Sequence, residues 1–337
     1  MARIGILGAG SFGTAVAVHA ARAGHRTTLW VRREEAAAEI DAARENRRYL
    51  PGVILPEGLA ITHDLAALAD SAPLVVAAPS HGYRAVLREF LAARVSQQPL
   101  TVVSATKGIE AETLARMSRV SEEECARAGV LCRFAVLSGP TFAAELARAA
   151  PSAAVIASAD AALAAGLRQT LATPTLRLYS STDVVGVELA GTVKNVIAIG
   201  AGLVSGLGLG HNTLAALITR GLHEMTRLVV AYGGEAETLR GLAGLGDLVL
   251  TCTGALSRNR RTGVELAQGK TLDAIVAETT EIAEGVKNSL VVRRLARARD
   301  IEMPIIEQMV AVMYEGKPAK QAVHELMTRG LKDEAQL

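Results

Sequence analysis

Short apolar runs alternate with amphipathic stretches along the first half of the chain. Arg3-Ile4-Gly5-Ile6-Leu7 reads as a strand. Gly8-Ala9-Gly10-Ser11-Phe12-Gly13 follows as a tight turn opening an Ala-rich helix to about Ala23. Gly24 caps that helix, and Thr27-Thr28-Leu29-Trp30-Val31 forms a second strand. Apolar runs at Pro73–Ala78, Leu100–Ser104, Phe134–Leu137, Ala153–Ala157 and Leu176–Tyr179 predict further strands. Helical patterns such as Tyr83–Ala93 and Thr113–Ala128 separate several of them. Strands alternating with helices predict a parallel sheet with right-handed crossovers.

After Ser180-Ser181-Thr182-Asp183 the pattern turns helical, punctuated by Gly-rich turns, and no strand is predicted. The fold class is therefore α/β: a parallel-sheet domain over residues 1–183, then an all-α domain over residues 184–337. The two halves do not repeat one another, and the polar tail from Gly330 is expected to fray. The longest apolar run, Val184 to Val204, carries Glu188, Lys194 and Asn195. A membrane span seldom tolerates such groups in its middle, so the run predicts a buried helix.

Composition narrows the function classes. Half of the 337 residues are hydrophobic and 21% are charged, as in a globular protein. A formal net charge of +2 lacks the basic excess of a nucleic-acid binder. Cys125, Cys132 and Cys252 form no CxxC pair and no disulfide framework, which fits reduced thiols in the cytoplasm. The N-terminal apolar stretch lacks the basic segment of a secretory leader, and no metal site is expected. Only seven of the 36 basic residues are lysines, and the first 250 positions hold just Lys107 and Lys194. Where charge alone would serve, this chain writes Arg, so a Lys in an apolar setting suggests that an amine is needed.

Gly8-Ala9-Gly10-Ser11-Phe12-Gly13 fits GxGxxG between a strand and a helix, the context that turns a weak pattern into a dinucleotide-binding loop of the Rossmann type. Gly8 permits the turn, Gly10 lets the backbone approach a pyrophosphate, and Gly13 lets helix and strand pack closely. The second strand runs into Arg32-Arg33 rather than an acidic residue, so a 2′-phosphate is favoured: NADPH is preferred and NADH tolerated. The alternative is that these arginines pair with Glu34 and Glu35.

Four segments combine polar groups with apolar or Gly-rich surroundings: Ser104–Gly108, Ser138–Ala143, the helix bearing Lys194-Asn195, and Gly244–Leu248 followed by Ser257-Arg258-Asn259-Arg260. Each residue has a plain structural alternative. Lys107 could neutralise a carbonyl cluster, Thr141 could be a helix N-cap, Asp247 a turn residue, and Arg258 part of a solvated face. Lys194 resists such a reading, because Val193, Val196 and Ile197 mark its helix as buried. Ketone reduction needs a hydride donor, a proton donor and a grip on the substrate. A desolvated lysine crowded by a second one loses its proton more readily, so Lys194 is the expected proton donor. Lys107 would add positive charge, Asp247 or Asn195 would orient the amine, and Arg258 with Ser257 and Asn259 would grip a phosphate.

With these segments in place, the chain resembles bacterial glycerol-3-phosphate dehydrogenase of the NAD(P)-dependent cytoplasmic type. The resemblance runs through GAGSFGTA, NRRYLPG, ATKG, SGPTFA, GTVKNVIAIGAG, ITRGLHEM, GLAGLGDLVLTCTGALSRNRR, EIAEG and EMPI, in that order. It implies that Ser11, Phe12, Arg32, Arg33, Tyr49, Lys107, Ala143 and Arg258 contact NADPH, and that Ile282 and Glu284 close over it. It places substrate, a phosphorylated triose, against Lys107, Gly139, Thr141, Lys194, Asp247, Ser257, Arg258 and Asn259, with Lys194 as proton acceptor in the oxidative direction. It further implies an active site between the two domains, a part in glycerophospholipid synthesis, and compatibility with a homodimer. The competing readings are a related two-domain hydroxy-acid dehydrogenase, a nucleotide-sugar dehydrogenase using Cys252 as nucleophile, and a non-catalytic NADPH sensor.

Overall fold

The computed structural model describes residues 1–96, 98–279, 283–330 and 333. It divides into two compact units, Met1–Val184 and Val185–Leu337. The first unit runs β1 (Arg3–Leu7), α1 (Ser11–Arg22), β2 (Arg26–Trp30), α2 (Glu34–Ala43), β3 (Leu59–Thr62), β4 (Leu74–Val76), α3 (Ser80–Ala93) and β5 (Leu100–Ser104). It continues through α4 (Met117–Arg127), β6 (Cys132–Ser138), α5 (Ala143–Ala147), β7 (Ser152–Ala157), α6 (Ala161–Leu171) and β8 (Leu176–Ser181).

These strands form one sheet in the order β3-β2-β1-β4-β5-β6-β7-β8. The chain starts in the middle and winds outward in both directions, so a crevice opens where β1 and β4 diverge. Their alternation divides the core. Ile4, Ile6, Leu29, Val31, Val75 and Val103 face α1, α5 and α6. Leu7, Trp30, Leu74, Val76, Leu100 and Val102 face Tyr83, Leu87 and Phe90 of α3 and Val120 of α4. Burial on both sides explains why these strands read as continuous apolar runs.

Two details differ from the sequence expectation. The sheet is not parallel throughout, because β6 and β7 pair antiparallel, with Leu137 opposite Ile156. The intervening α5 has five residues and rises only about 7 Å, too little to carry the chain back along β6 for a parallel return. The helix expected from Thr113 starts at Met117, because Ile109 and Arg116 form an antiparallel bridge that holds the preceding residues in a turn.

The second unit consists of α7 (Val184–Gly206), α8 (Gly210–Ala231), α9 (Ala236–Arg240), α10 (Asp247–Thr253), α11 (Arg258–Ala267), α12 (Leu272–Glu278), α13 (Glu284–Ala298), α14 (Pro304–Tyr314) and α15 (Ala319–Met327). No strand occurs among its described residues. Helix α7 is long and apolar enough to cross a membrane, but 89% of its apolar window is buried within the protein, as in a core helix. It meets α11 backbone to backbone: a Cβ added to Gly263 would lie 1.9 Å from the Ile199 carbonyl, and one on Gly202 2.0 Å from that of Arg260.

Glu224 of α8, only 2% exposed, accepts hydrogen bonds from the N–H groups of Ile305 (2.7 Å) and Ile306 (3.3 Å) and so caps α14 from outside it. Burial pushes its carboxyl up to about 7, against the pull of those two N–H groups and of Arg227 and Arg329. A carboxyl whose folded pKa exceeds its unfolded value stabilises fully below about 4.5, and that contribution is lost as pH rises through about 7. The stability advantage of the wild type over Glu224→Gln should therefore shrink by about 3 kcal/mol across that interval. Urea unfolding at a series of pH values checks this, and a pH-independent difference contradicts it.

Candidate active site

The turn after β1 is shaped by its neighbours. Gly8 has φ +120°, and a Cβ there would lie 2.9 Å from the Ala77 carbonyl at the end of β4. A Cβ on Gly13 would lie 2.0 Å from the Gly8 carbonyl, so strand, turn and helix need both glycines. Gly10 differs: a Cβ there would meet nothing within 4 Å. Its backbone faces open space at the N-terminus of α1, whose first turn has no side-chain cap and no acidic residue. Unclaimed N–H donors and the positive end of the helix dipole fit a pyrophosphate.

Sequence reasoning passed over one support of this loop. Asn46, 1% exposed, donates to the Ala9 carbonyl (2.9 Å) and to Thr14 Oγ1 (2.8 Å). Its Oδ1 accepts from the Tyr49 N–H (3.3 Å), which ties the turn bearing Tyr49 to the glycine loop. A polar residue at the head of the NRRYLPG segment was the available signal. Arg32 and Arg33 are exposed just beyond β2, and neither lies within ion-pair distance of Glu34 or Glu35. Pairing with those glutamates, the alternative weighed from sequence, is not what the structure holds.

At the ends of β5 and β6 the structure brings Lys107 and Gly139 together, with Lys107 Nζ donating to the Gly139 carbonyl at 3.1 Å. Thr141 is not the cap of α5. Phe142 occupies that position, and Thr141 Oγ1 bonds back to the Gly139 carbonyl at 3.2 Å. Ala143 is the first residue of α5.

In the second unit Lys194 is 5% exposed and donates to Asp247 Oδ1 (2.8 Å) and Thr251 Oγ1 (2.6 Å). Asp247 is 1% exposed. Thr251 Oγ1 donates a hydrogen bond to the Asp247 carbonyl at 2.6 Å, leaving its oxygen free to accept from the amine. The sequence hint was the i, i+4 spacing of Asp247 and Thr251 on one helix face. Asp247 is delivered by a wide π-type turn over Leu242–Gly246, in which a Cβ on Gly244 would lie 2.3 Å from the Leu239 carbonyl. Such turns often accompany functional groups. Of the two residues expected to orient the amine, Asp247 does so, and an opposite charge at this range favours the ammonium form. Cys252 is no nucleophile, because burial pushes its thiol up to about 12.

Asn195 turns to the Gly191 carbonyl (3.1 Å) and accepts from Asn259 Nδ2 (2.9 Å), whose Oδ1 accepts from the Gly285 N–H (2.9 Å). Both asparagines thus fasten α7 and α11 to the start of α13. Ser257 caps α11 through its oxygen, which accepts from the Arg260 N–H at 3.2 Å. Arg258 has an exposed side chain that protein atoms nonetheless crowd. This desolvation lowers its pKa against the attraction of nearby Glu284, yet a guanidinium stays charged at neutral pH. Ile282 lies outside the described residues.

A doubly wound sheet with an open phosphate-type loop, followed by a helical unit holding a buried lysine–aspartate pair, defines a protein of the two-domain nucleotide-dependent dehydrogenase class. Family models for NAD-dependent glycerol-3-phosphate dehydrogenase match both parts, the N-terminal one over residues 3–164 and the C-terminal one over residues 183–324. The chain belongs to this family. It is 49% identical over 333 residues to the glycerol-3-phosphate dehydrogenase [NAD(P)+] of Geobacter sulfurreducens, covering 98% of each chain. It is 50% identical to that of Geobacter metallireducens at the same coverage. The crystal structure of the Coxiella burnetii glycerol-3-phosphate dehydrogenase superposes with a TM-score of 0.91 at 40% identity, covering 97% of this chain and 99% of that one.

Removing Asp247 leaves an ammonium buried without its carboxylate. Asp247→Ala should destabilise the protein by about 3–5 kcal/mol, whereas Asp247→Leu combined with Lys194→Met should recover most of that loss. Denaturant unfolding of the three proteins decides it, and an unchanged midpoint for Asp247→Ala would count against a tight pair.

Proposed function

We propose that the protein interconverts dihydroxyacetone phosphate and sn-glycerol 3-phosphate by hydride transfer with NAD(P)H. The observation that carries this reading is the buried Lys194 amine, held by Asp247 and Thr251 in a chain of this family. A bound nicotinamide would supply the hydride to the ketone carbon, or accept it in reverse. Lys194 gives a proton from Nζ to the developing alkoxide, becomes a neutral amine, and is reprotonated from solvent. Asp247 fixes the direction of that amine and stabilises its charged form. Lys107 offers a second positive charge to the substrate, while Arg258, with Ser257 and Asn259, grips the phosphate. Asn259 already bonds to Asn195 and Gly285, so in this reading it also keeps α11 in register with α7.

The preferred cofactor is NADPH, with NADH tolerated. Support comes from the two exposed guanidinium groups of Arg32 and Arg33, which no acidic neighbour neutralises. The product would feed glycerophospholipid synthesis in the cytoplasm.

Purified protein should oxidise NADPH with dihydroxyacetone phosphate and scarcely at all with dihydroxyacetone, as followed by absorbance. Lys194→Ala should lower kcat by about a hundredfold or more while NADPH still binds. Cofactor binding without turnover of the phosphorylated ketone would turn the assignment toward a sensor. Replacing Arg32 and Arg33 together by Ala should raise KM for NADPH about tenfold or more, with little change for NADH. Equal losses with both cofactors would mean that the arginines do not read the 2′-phosphate.

A further inference from the structure

The loop bearing Lys107 is anchored at both ends. On its β5 side the Ala105 N–H bonds to the Val76 carbonyl (2.9 Å), and Thr106 Oγ1 bonds to the Ala78 carbonyl (2.6 Å). On its far side the anchor is Glu110, three residues beyond Lys107. Arg84 of α3 grips this carboxylate with a two-pronged fork, Nε to Oε1 and Nη2 to Oε2, each at 2.7 Å. Thr113 Oγ1 adds a bond to Oε2 at 2.5 Å, and the Glu110 N–H bonds to the Ala115 carbonyl at 3.0 Å.

Arg84 is itself immobilised. Its Nη1 meets Glu124 at 2.9 Å and its Nη2 meets Glu123 at 2.9 Å, both on α4. Glu124, 1% exposed, also takes two bonds from Arg88, at 2.8 and 2.9 Å. The arginine bonds hold the carboxyls of Glu110 and Glu124 low, the latter at about 2, so the cluster stays charged across the physiological range. Fastening α3 to α4 requires only Glu123 and Glu124. The share of Arg84 directed at Glu110 goes instead to the loop carrying a functional amine, and a planar fork fixes direction as well as distance.

We propose that Glu110, clamped by Arg84, is the positioning residue for Lys107, setting the loop so that the ammonium reaches the Gly139 carbonyl and, beyond it, the substrate. The inference rests on the part given to Lys107 above. A displacement of about 1 Å at a substrate-positioning group can cost about a hundredfold in rate, so a looser clamp acts on turnover without touching substrate.

The test is a double-mutant cycle on kcat/KM for dihydroxyacetone phosphate in the full-length protein, using Glu110→Gln, Lys107→Met and the double variant. Glu110→Gln alone should cost about tenfold or more, with KM for NADPH nearly unchanged. In the Lys107→Met background the same substitution should change kcat/KM by less than about twofold, because what it positions is already gone. Equal fold-losses in both backgrounds would overturn the positioning role while leaving Lys107 its own part. Full activity in Lys107→Met would remove that part, and the positioning role with it. Should Glu110→Gln fail to fold, Thr113→Val removes one bond to the carboxylate, spares the ion pair, and runs the same cycle at smaller amplitude.

Discussion

An ammonium group with 5% of its residue exposed is tolerable only beside a carboxylate, and much of the second unit is arranged to meet that condition. The partner comes from another helix and arrives at the start of that helix. The π-type turn over Leu242–Gly246 does this, carrying Asp247 to the head of α10 with Thr251 one turn behind. Helix α7 in turn must not shift. Helix α11 touches it through glycines, where no side chain can act as a compressible spacer. The Asn195–Asn259–Gly285 chain adds direction to that contact.

The first unit depends on a different constraint, the approach of the β1 turn to the end of β4. With Gly8 against the Ala77 carbonyl, the loops after β1 and β4 share one rim of the sheet, where a doubly wound order leaves room for a ligand. The segment after β5, with Lys107, reaches back to that rim through Thr106 and Ala78. Hydrogen bonds between successive strand ends make three loops from distant parts of the chain into one surface.

Much of this was legible in the residues, and the failures have physical reasons. GxGxxG after an apolar strand fixed the opening, because strand, turn and helix there are each specified locally. The strand β3 was missed: Leu59–Thr62 has four residues, follows a stretch rich in Pro and Gly, and gains strand character only by pairing with β2 at the sheet edge. The antiparallel return of β7 was not legible either, since it follows from the length of α5 and not from any strand pattern. Lys194 stood out as an amine among apolar residues, and Asp247 was legible as one of two candidates to orient it. The choice between Asp247 and Asn195 was left to folding, which brings the carboxylate across 53 positions. Asn46 and Thr251 escaped for the same reason, since their bonds to Ala9 and Lys194 cross 37 and 57 positions.

The three glycines of the opening loop answer to different masters. Gly8 and Gly13 are required by the chain itself, since added atoms would strike its own backbone. Gly10 has extended backbone angles open to any residue, and no neighbour within reach of a Cβ. Only something arriving from solvent needs it bare. In a lineage released from its nucleotide, drift would therefore reach position 10 while positions 8 and 13 stayed fixed. The sequence would keep the look of the fold long after losing its trade.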